Sequence, residues 1–476
     1  MRNLTMLTDL YQLTMMYGYY RNNMQSKIAV FDLFFRKTSS DSGYAIMAGL
    51  EQVIDYLQML KFNKNDIAYL RSLKLFDENF LCLLSKLTFS GEMYAITEGT
   101  IVFPYEPLIR IKAPIMEAQL IEAALLNIVN HQTLIATKAS RVVLAAQGDD
   151  VLEFGLRRAQ GPDAGIYGAR AAIIGGCTGT SNVLTGQLFN IPVKGTHAHS
   201  WVMSFPDELS SFRAYADIFP DSCMLLVDTY DTLHSGIPNA IIVFNELREK
   251  GYDPLGIRLD SGDLAYLSKK ARKMLNQAGF YDAKIFASSD LDEEIIWNLK
   301  SQGAEIDVWG VGTKLITSDD CPALGGVYKL SAEELDGVMI PKIKISENPF
   351  KITNPGYKKV LRIYDKITGK AVADLITLDE EKIDETLPIT IFDPIDTWKS
   401  ITIQDYSIRE LLQPIFINGK LIYETPPLMN IQGYAKKELD TLWDEYKRLK
   451  NPHVYRVDLS EKLYHLKQSL LKKKIK

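Results

Sequence analysis

Two histidines one residue apart, His197 and His199 in GTHAHSW (195–201), sit in a chain of 476 residues that has six histidines in all. This spacing suits a metal pair, a nucleophile or acid–base centre, or two polar residues on a half-buried strand. A metal pair lacks a third His, Cys or acid at ligand spacing nearby, because His131, His234, His453 and His465 are scattered. Alternation would put both rings on one face of an extended segment. If a strand ends at Thr196, as Gly195-Thr196 suggests, both lie on the loop beyond it, where a histidine is placed for nucleophilic or acid–base work. One of the two is still expected to be a satisfied structural residue.

Five other stretches carry groups of comparable interest. In GIRLDSGDL (256–264), Arg258 and Asp260 alternate along a strand end and share a face, with Ser261 or Asp263 capping the helix that follows. The Asp suits a pair of sugar hydroxyls and the Arg a phosphate, while a structural ion pair explains them about as well. EFGLRRAQGPDAG (153–165) offers Phe154 to stack a flat ring and Arg157 to pair bidentately with a carboxylate or phosphate. GGCTGTSNV (175–183), ASSDLDEE (287–294) and WGVGTKL (309–315) place Ser181, Ser288, Asp290, Gly310, Gly312 and Thr313 at junctions between strand and helix. Backbone amides there can approach an anion. Capping alone accounts for Asp290, and a Gly-x-Gly turn is often only a tight connection.

These groups recur at one kind of place. Short apolar runs at 151–155, 191–196, 223–228, 254–260, 284–290 and 306–312 end in polar or Gly-rich residues, with amphipathic stretches such as 263–280 and 292–304 between them. That alternation predicts parallel strands covered by helices, closed into an α/β barrel or doubly wound, with the chemistry at the carboxyl ends. We expect a TIM-like α/β barrel core over 125–330 beside a mixed α+β domain built from the flanks. The flanks comprise 1–124 and a β-rich return at 331–430, followed by a helical C-terminal appendage over 431–476. The basic tail LKKKIK (471–476) reads as a solvated helix end.

A net charge of −5 gives no reason to expect nucleic acid or a membrane surface as partner. The cysteines, Cys82, Cys177, Cys223 and Cys321, lie far apart without a C-x-x-C pair, which argues against a zinc knuckle and a disulfide framework. No apolar run approaches a membrane span, and a reducing, cytoplasmic setting is expected.

In motif order, LTDLYQLTMMYGY (7–19), EFGLRRAQGPDAG, TSNVLTGQL (180–188), GTHAHSW, VDTYDT (227–232) and GIRLDSGDL resemble the nicotinate phosphoribosyltransferase family. The resemblance runs from the N-terminus through at least residue 330. It implies transfer of phosphoribose from phosphoribosyl pyrophosphate to nicotinate, coupled to ATP hydrolysis, on an atypical α/β barrel beside a mixed domain. It also implies that ATP phosphorylates His199, that Arg157 and Phe154 hold the pyridine ring, and that Arg258 and Asp260 handle phosphate and ribose. Ser288–Asp290, Gly310 and Gly312 would form the 5′-phosphate region, and Asp228 or Asp231 would bind Mg²⁺ or the sugar, although capping explains Asp231 about as well. Tyr11 would reach the site of a neighbouring subunit in a homodimer. Where amide-using relatives carry an aspartate, this chain has Ser181, which can donate to a carboxylate and favours the acid over nicotinamide.

Two rivals remain at this level besides an amide-using enzyme. A quinolinate phosphoribosyltransferase would need a second cationic clamp, for which only Lys138, Arg141 and Lys194 are candidates. A non-catalytic nucleotide-binding barrel would let the catalytic positions drift, yet Arg157, His199, Arg258 and Asp260 all stand in place.

Overall fold

The computed structural model describes residues 2–38 and 42–475, so Lys476 of the basic tail lies outside the description. The chain forms two compact units, one of residues 1–134 and 323–476 and the other of 135–322, with the first division falling inside the helix Glu122–Ala145.

The second unit is built on six parallel strands. In sheet order they are Gly179–Thr180, Asp150–Glu153, Val308–Val311, Lys284–Ser289, Gly256–Leu259 and Met224–Leu226. The strands are apolar because both faces are covered: on the face inside the curl, Leu152, Met224, Phe286 and Val308 form one buried cluster with Phe154 packed against it, and a helix follows each strand. The helix Leu264–Gln277 buries Leu264, Ala265, Ala271 and Leu275 as its periodicity requires. Asp263, rather than Ser261, caps it by accepting from the Tyr266 amide.

The sheet curls but does not close. Ser181, just past one edge strand, and Leu226, on the other, line a single cavity of about 230 Å³. Five strand spacings in a flat sheet would hold them about 24 Å apart. Yet the run 191–196, expected to be a strand, makes only one bridge, Val193 to Thr180. Pro192 has no amide to donate to a ladder, and further along the seam the Leu226 amide donates to the ring Nε2 of His197 at 3.2 Å instead of to a strand carbonyl. Among the described residues the result is a curled open sheet, a mixed α/β fold without the closed barrel that strand alternation predicts.

In the first unit, the flanks of the chain share one antiparallel sheet of seven strands. Ile28–Phe34 pairs with both Val327–Leu335 and Ile109–Pro114, and Leu412–Ile417 pairs with Glu92–Ile96. The C-terminal stretch is more than helical. Between the helices Leu428–Thr441 and Glu461–Ile475, the strand Val457–Leu459 joins a second sheet beside Ala371–Leu378. No described helix is long and apolar enough to cross a membrane. No disulfide joins the cysteines among the described residues.

Candidate active site

The carboxyl ends of the parallel strands converge on the 230 Å³ cavity, whose walls include Phe154, Arg157, Ser181, Thr196, both histidines, Leu226, Arg258 and Asp260. Carboxyl-end placement follows from either a closed or an open parallel sheet, so the missing seam does not disturb it.

On one side, Glu153 ends its strand fully buried. Its carboxylate accepts from Thr180 Oγ1 at 2.6 Å and from the Gly155 amide, which holds the 3₁₀ turn Leu156–Arg158 against the neighbouring loop. Burial pushes this carboxyl up, opposed by the two donors. Phe154 then lies nearly parallel to Phe286, with centroids 6.3 Å apart at 12°. A Cβ at Gly310 would come within 2.7 Å of the Phe154 ring, so this strand needs a glycine there. Arg157 is exposed at the cavity wall with no ion-pair partner among the described residues. Ser181, held by its amide, which donates to the Glu153 carbonyl at 3.0 Å, lines the same space.

On the other side, Arg258 is held rigidly. Its Nε donates to Ser288 Oγ at 2.8 Å, Nη1 to Thr196 Oγ1 at 3.1 Å and Nη2 to Asp260 Oδ1 at 3.0 Å. Ser288 also donates to Asp260 Oδ1. The guanidinium carbon stands 5.8 Å from the centroid of Phe154, joining the two sides.

The histidines part company against the third wall. His197 is buried, and because its Nε2 accepts from the Leu226 amide, its proton sits on Nδ1. Burial lowers its pKa to about 4, so it is neutral at physiological pH. His199 opens the helix His199–Met203 with its side chain 40% exposed, and its Nε2 lies 3.2 Å from Asp228 Oδ1. Asp228 is itself buried and fixed, its Oδ2 accepting from the Asp260 amide at 2.9 Å and Ser261 Oγ at 2.6 Å. An acceptor at Nε2 puts the proton there and leaves the Nδ1 lone pair of His199 available.

Some expected residues stand elsewhere. Asp231 caps the turn Thr232–Gly236, accepting from the Leu233 and His234 amides, and its carboxylate also meets the exposed His234 ring. The cap expected of Asp290 is made by Asp292, which accepts from the Ile295 amide, and Asp290 is exposed in the turn before it. Gly312 and Thr313 start the helix Thr313–Thr317 behind Phe154 and do not line the cavity. Tyr11 belongs to the other unit, on the helix Leu10–Arg21, 47% exposed. Ser261 was visible in the sequence only as a possible cap; its bond to Asp228 becomes apparent only when two strand ends are side by side.

Comparison with known proteins agrees with this arrangement. The profile of the nicotinate phosphoribosyltransferase N-terminal domain matches residues 6–130, that of the nicotinate phosphoribosyltransferase family 150–351, and that of its C-terminal domain 357–467. The nicotinate phosphoribosyltransferase of Bacillus subtilis is 52% identical over 460 residues, covering 96% of this chain and 93% of its own. The Homo sapiens enzyme of that name is 34% identical, with 98% and 96% covered. The crystal structure of human nicotinic acid phosphoribosyltransferase superposes with a TM-score of 0.87 at 32% identity, over 97% of this chain and 99% of that one. A nicotinate-nucleotide pyrophosphorylase from Pyrococcus furiosus shares the fold, with a TM-score of 0.71 at 23% identity over 92% and 95%. On these matches, which span nearly the whole sequence, the chain belongs to the nicotinate phosphoribosyltransferase family.

Proposed function

We propose that this enzyme transfers phosphoribose from phosphoribosyl pyrophosphate to nicotinate, giving nicotinate mononucleotide and pyrophosphate in NAD biosynthesis, with ATP as co-substrate and His199 as phosphoryl acceptor. One observation carries the reading: His199, paired with Asp228, lines the same cavity as Phe154, Arg157, Arg258 and Asp260, the last two tied together through Ser288. Phe154 offers a face for the pyridine ring, and Arg157 and Ser181 offer donors to its carboxylate. Asp260 takes ribose hydroxyls, and Arg258 counters the charge that grows on departing pyrophosphate as the anomeric carbon becomes oxocarbenium-like.

In the ATP-coupled step, the Nδ1 lone pair of His199 attacks the γ-phosphorus. The N–P bond forms as the bond to the bridging oxygen breaks and ADP leaves with that electron pair. Asp228 accepts the Nε2–H throughout and stabilises the ring as it becomes cationic. A phosphate on His199 then adds charge beside Arg258 and Thr196 and alters the affinity for pyrophosphate.

The family resemblance also implies Mg²⁺. Among the described residues, no group of three or more His, Cys, Asp or Glu side chains is placed to hold a metal. Asp228 is engaged on both oxygens and Asp231 by its own cap. A resident all-protein centre therefore does not fit, and Mg²⁺ would enter on the substrate phosphates, as it commonly does. The same reading places the enzyme in the cytoplasm as a homodimer with an atypical barrel, the His197 segment completing the barrel wall in place of a strand. Incubation with nicotinate, phosphoribosyl pyrophosphate and ATP should yield nicotinate mononucleotide and an acid-labile phosphate on His199. Release of CO₂ from quinolinate, or nicotinamide used as well as nicotinate, would overturn it.

A further inference from the structure

The two loops assigned to the 5′-phosphate are each followed by a short helix, and both helices are anchored to one buried cluster of charges. Glu293, first residue of the helix Glu293–Ser301, is buried. Its carboxylate meets Lys138 Nζ at 2.9 Å and Arg141 Nε at 3.0 Å, both from the long helix Glu122–Ala145 and both buried. Lys138 also reaches Asp320 at 2.7 Å, just beyond the helix Thr313–Thr317. Lys314 of that helix pairs with Asp292 at 2.6 Å, closing a circuit between the two helices. Burial pulls the Lys138 ammonium down, but Glu293 and Asp320 more than compensate, so it stays charged.

The loop ahead of Glu293 is under backbone strain. Ser289, between Ser288 and Asp290, has φ +145°, a conformation side chains rarely adopt and which persists only where surrounding structure dictates it. A strained residue next to Ser288, which orients Arg258 and Asp260, needs a rigid support immediately downstream. The sequence raised Lys138 and Arg141 only as a cationic clamp for a second carboxylate; both are instead committed to Glu293 beneath the loops.

We propose that Lys138, Arg141 and Glu293 are positioning residues for the phosphoribosyl substrate: they fix the 288–290 and 310–313 loops from behind without touching it. The proposal rests on the phosphoribosyltransferase reading above. The test is steady-state kinetics of Lys138→Met, Lys138→Arg and Glu293→Gln, with the unaltered enzyme alongside. We expect the KM for phosphoribosyl pyrophosphate to rise roughly 10- to 100-fold in Lys138→Met and Glu293→Gln, with the KM for nicotinate within about twofold. Lys138→Arg should recover most of the loss, and Ser289→Gly, which relieves the backbone strain, should recover part of it in the Lys138→Met background. If both KM values move together in proportion to lost thermal stability, or neither moves, the positioning role is wrong. Should Lys138→Met fail to fold, the same comparison is read from Glu293→Gln and Lys138→Arg. If the unaltered enzyme makes nicotinate mononucleotide while the variants show either of those overturning patterns, only the positioning role falls; if it makes none, the functional reading falls first.

Discussion

At the scale of residues, the two histidines of GTHAHSW carry opposite tautomers, each set by one partner 29 residues further along the chain, Leu226 for His197 and Asp228 for His199. His197 uses Nε2 to accept from Leu226, whereas His199 uses Nε2 to donate to Asp228. Sequence spacing showed the pair and its loop, but which ring faces solvent depends on a strand nearly thirty residues away in the chain, and no local pattern encodes that. Two outcomes follow. Asp228→Asn removes the charge that stabilises the His199 cation, and should lower labelling of the enzyme by γ-³²P-ATP about 10²-fold or more; His199→Ala should abolish it along with ATP stimulation of product formation. The second concerns His197, whose folded pKa of about 4 lies below its ordinary 6.5. The unfolded chain binds the extra proton, so this histidine's contribution is fully present above pH 6.5. It is lost as pH falls from 6.5 toward 4, amounting to roughly 3 kcal/mol. Urea denaturation across that range should show the loss, and His197→Phe should flatten it if the site still folds.

At the scale of elements, most of the parallel strands were legible because each is a short apolar run ending in polar residues. Five of the six predicted runs overlap an observed strand. The exception, 191–196, is apolar enough but contains Pro192, which cannot join a central ladder. It lies beyond the two-residue strand Gly179–Thr180, which it touches through the single bridge Val193 to Thr180 and which is hidden in a small-residue stretch that reads as a loop. The turn-capping residues were similarly displaced by one or two positions, because Asp290 and Asp292 are equally good caps until the strand end is known. What the strands do for the site can be tested at their glycines. Gly310 lies under the Phe154 ring, and a Cβ there would sit 2.7 Å from it. Gly310→Ala should tilt the ring off Phe286, raising the KM for nicotinate by about 10-fold or more with a stability cost of roughly 1–3 kcal/mol. Gly256 has φ +148°, and a Cβ there would press within 1.9 Å of the Lys284 carbonyl. Gly256→Ala should instead unseat the strand pair and cost more stability than Gly310→Ala, as differential scanning calorimetry would show.

At the scale of the whole molecule, the family resemblance implies a second copy, with Tyr11 of one chain reaching the site of the other. The helix Leu10–Arg21 and the turn before it expose Leu7 at 40%, Leu10 at 51%, Tyr11 at 47% and Met15 at 39%. Leu10, Tyr11 and Met15 lie on the exposed side of the helix and Leu7 in the turn before it, together an apolar surface of the kind that a partner covers. Burial, with nearby Glu122 adding to it, pushes the Tyr11 phenol up to about 12, so it stays protonated and able to donate a hydrogen bond. In a C₂ dimer that brings this helix of each copy to the site of the other, each site would combine Tyr11 of one chain with His199 of the other. That geometry makes a quantitative prediction. Tyr11→Ala and His199→Ala should each be nearly inactive alone. When the two are unfolded and refolded together in equal amounts, half the dimers are mixed, and each mixed dimer has one site lacking both groups and one with both intact. Activity should therefore return to about a quarter of the unaltered value. If Tyr11 serves its own chain's site, every site in every mixture lacks one group and no activity returns. Sedimentation of the mixture, run in parallel, separates that result from a failure to form dimers at all.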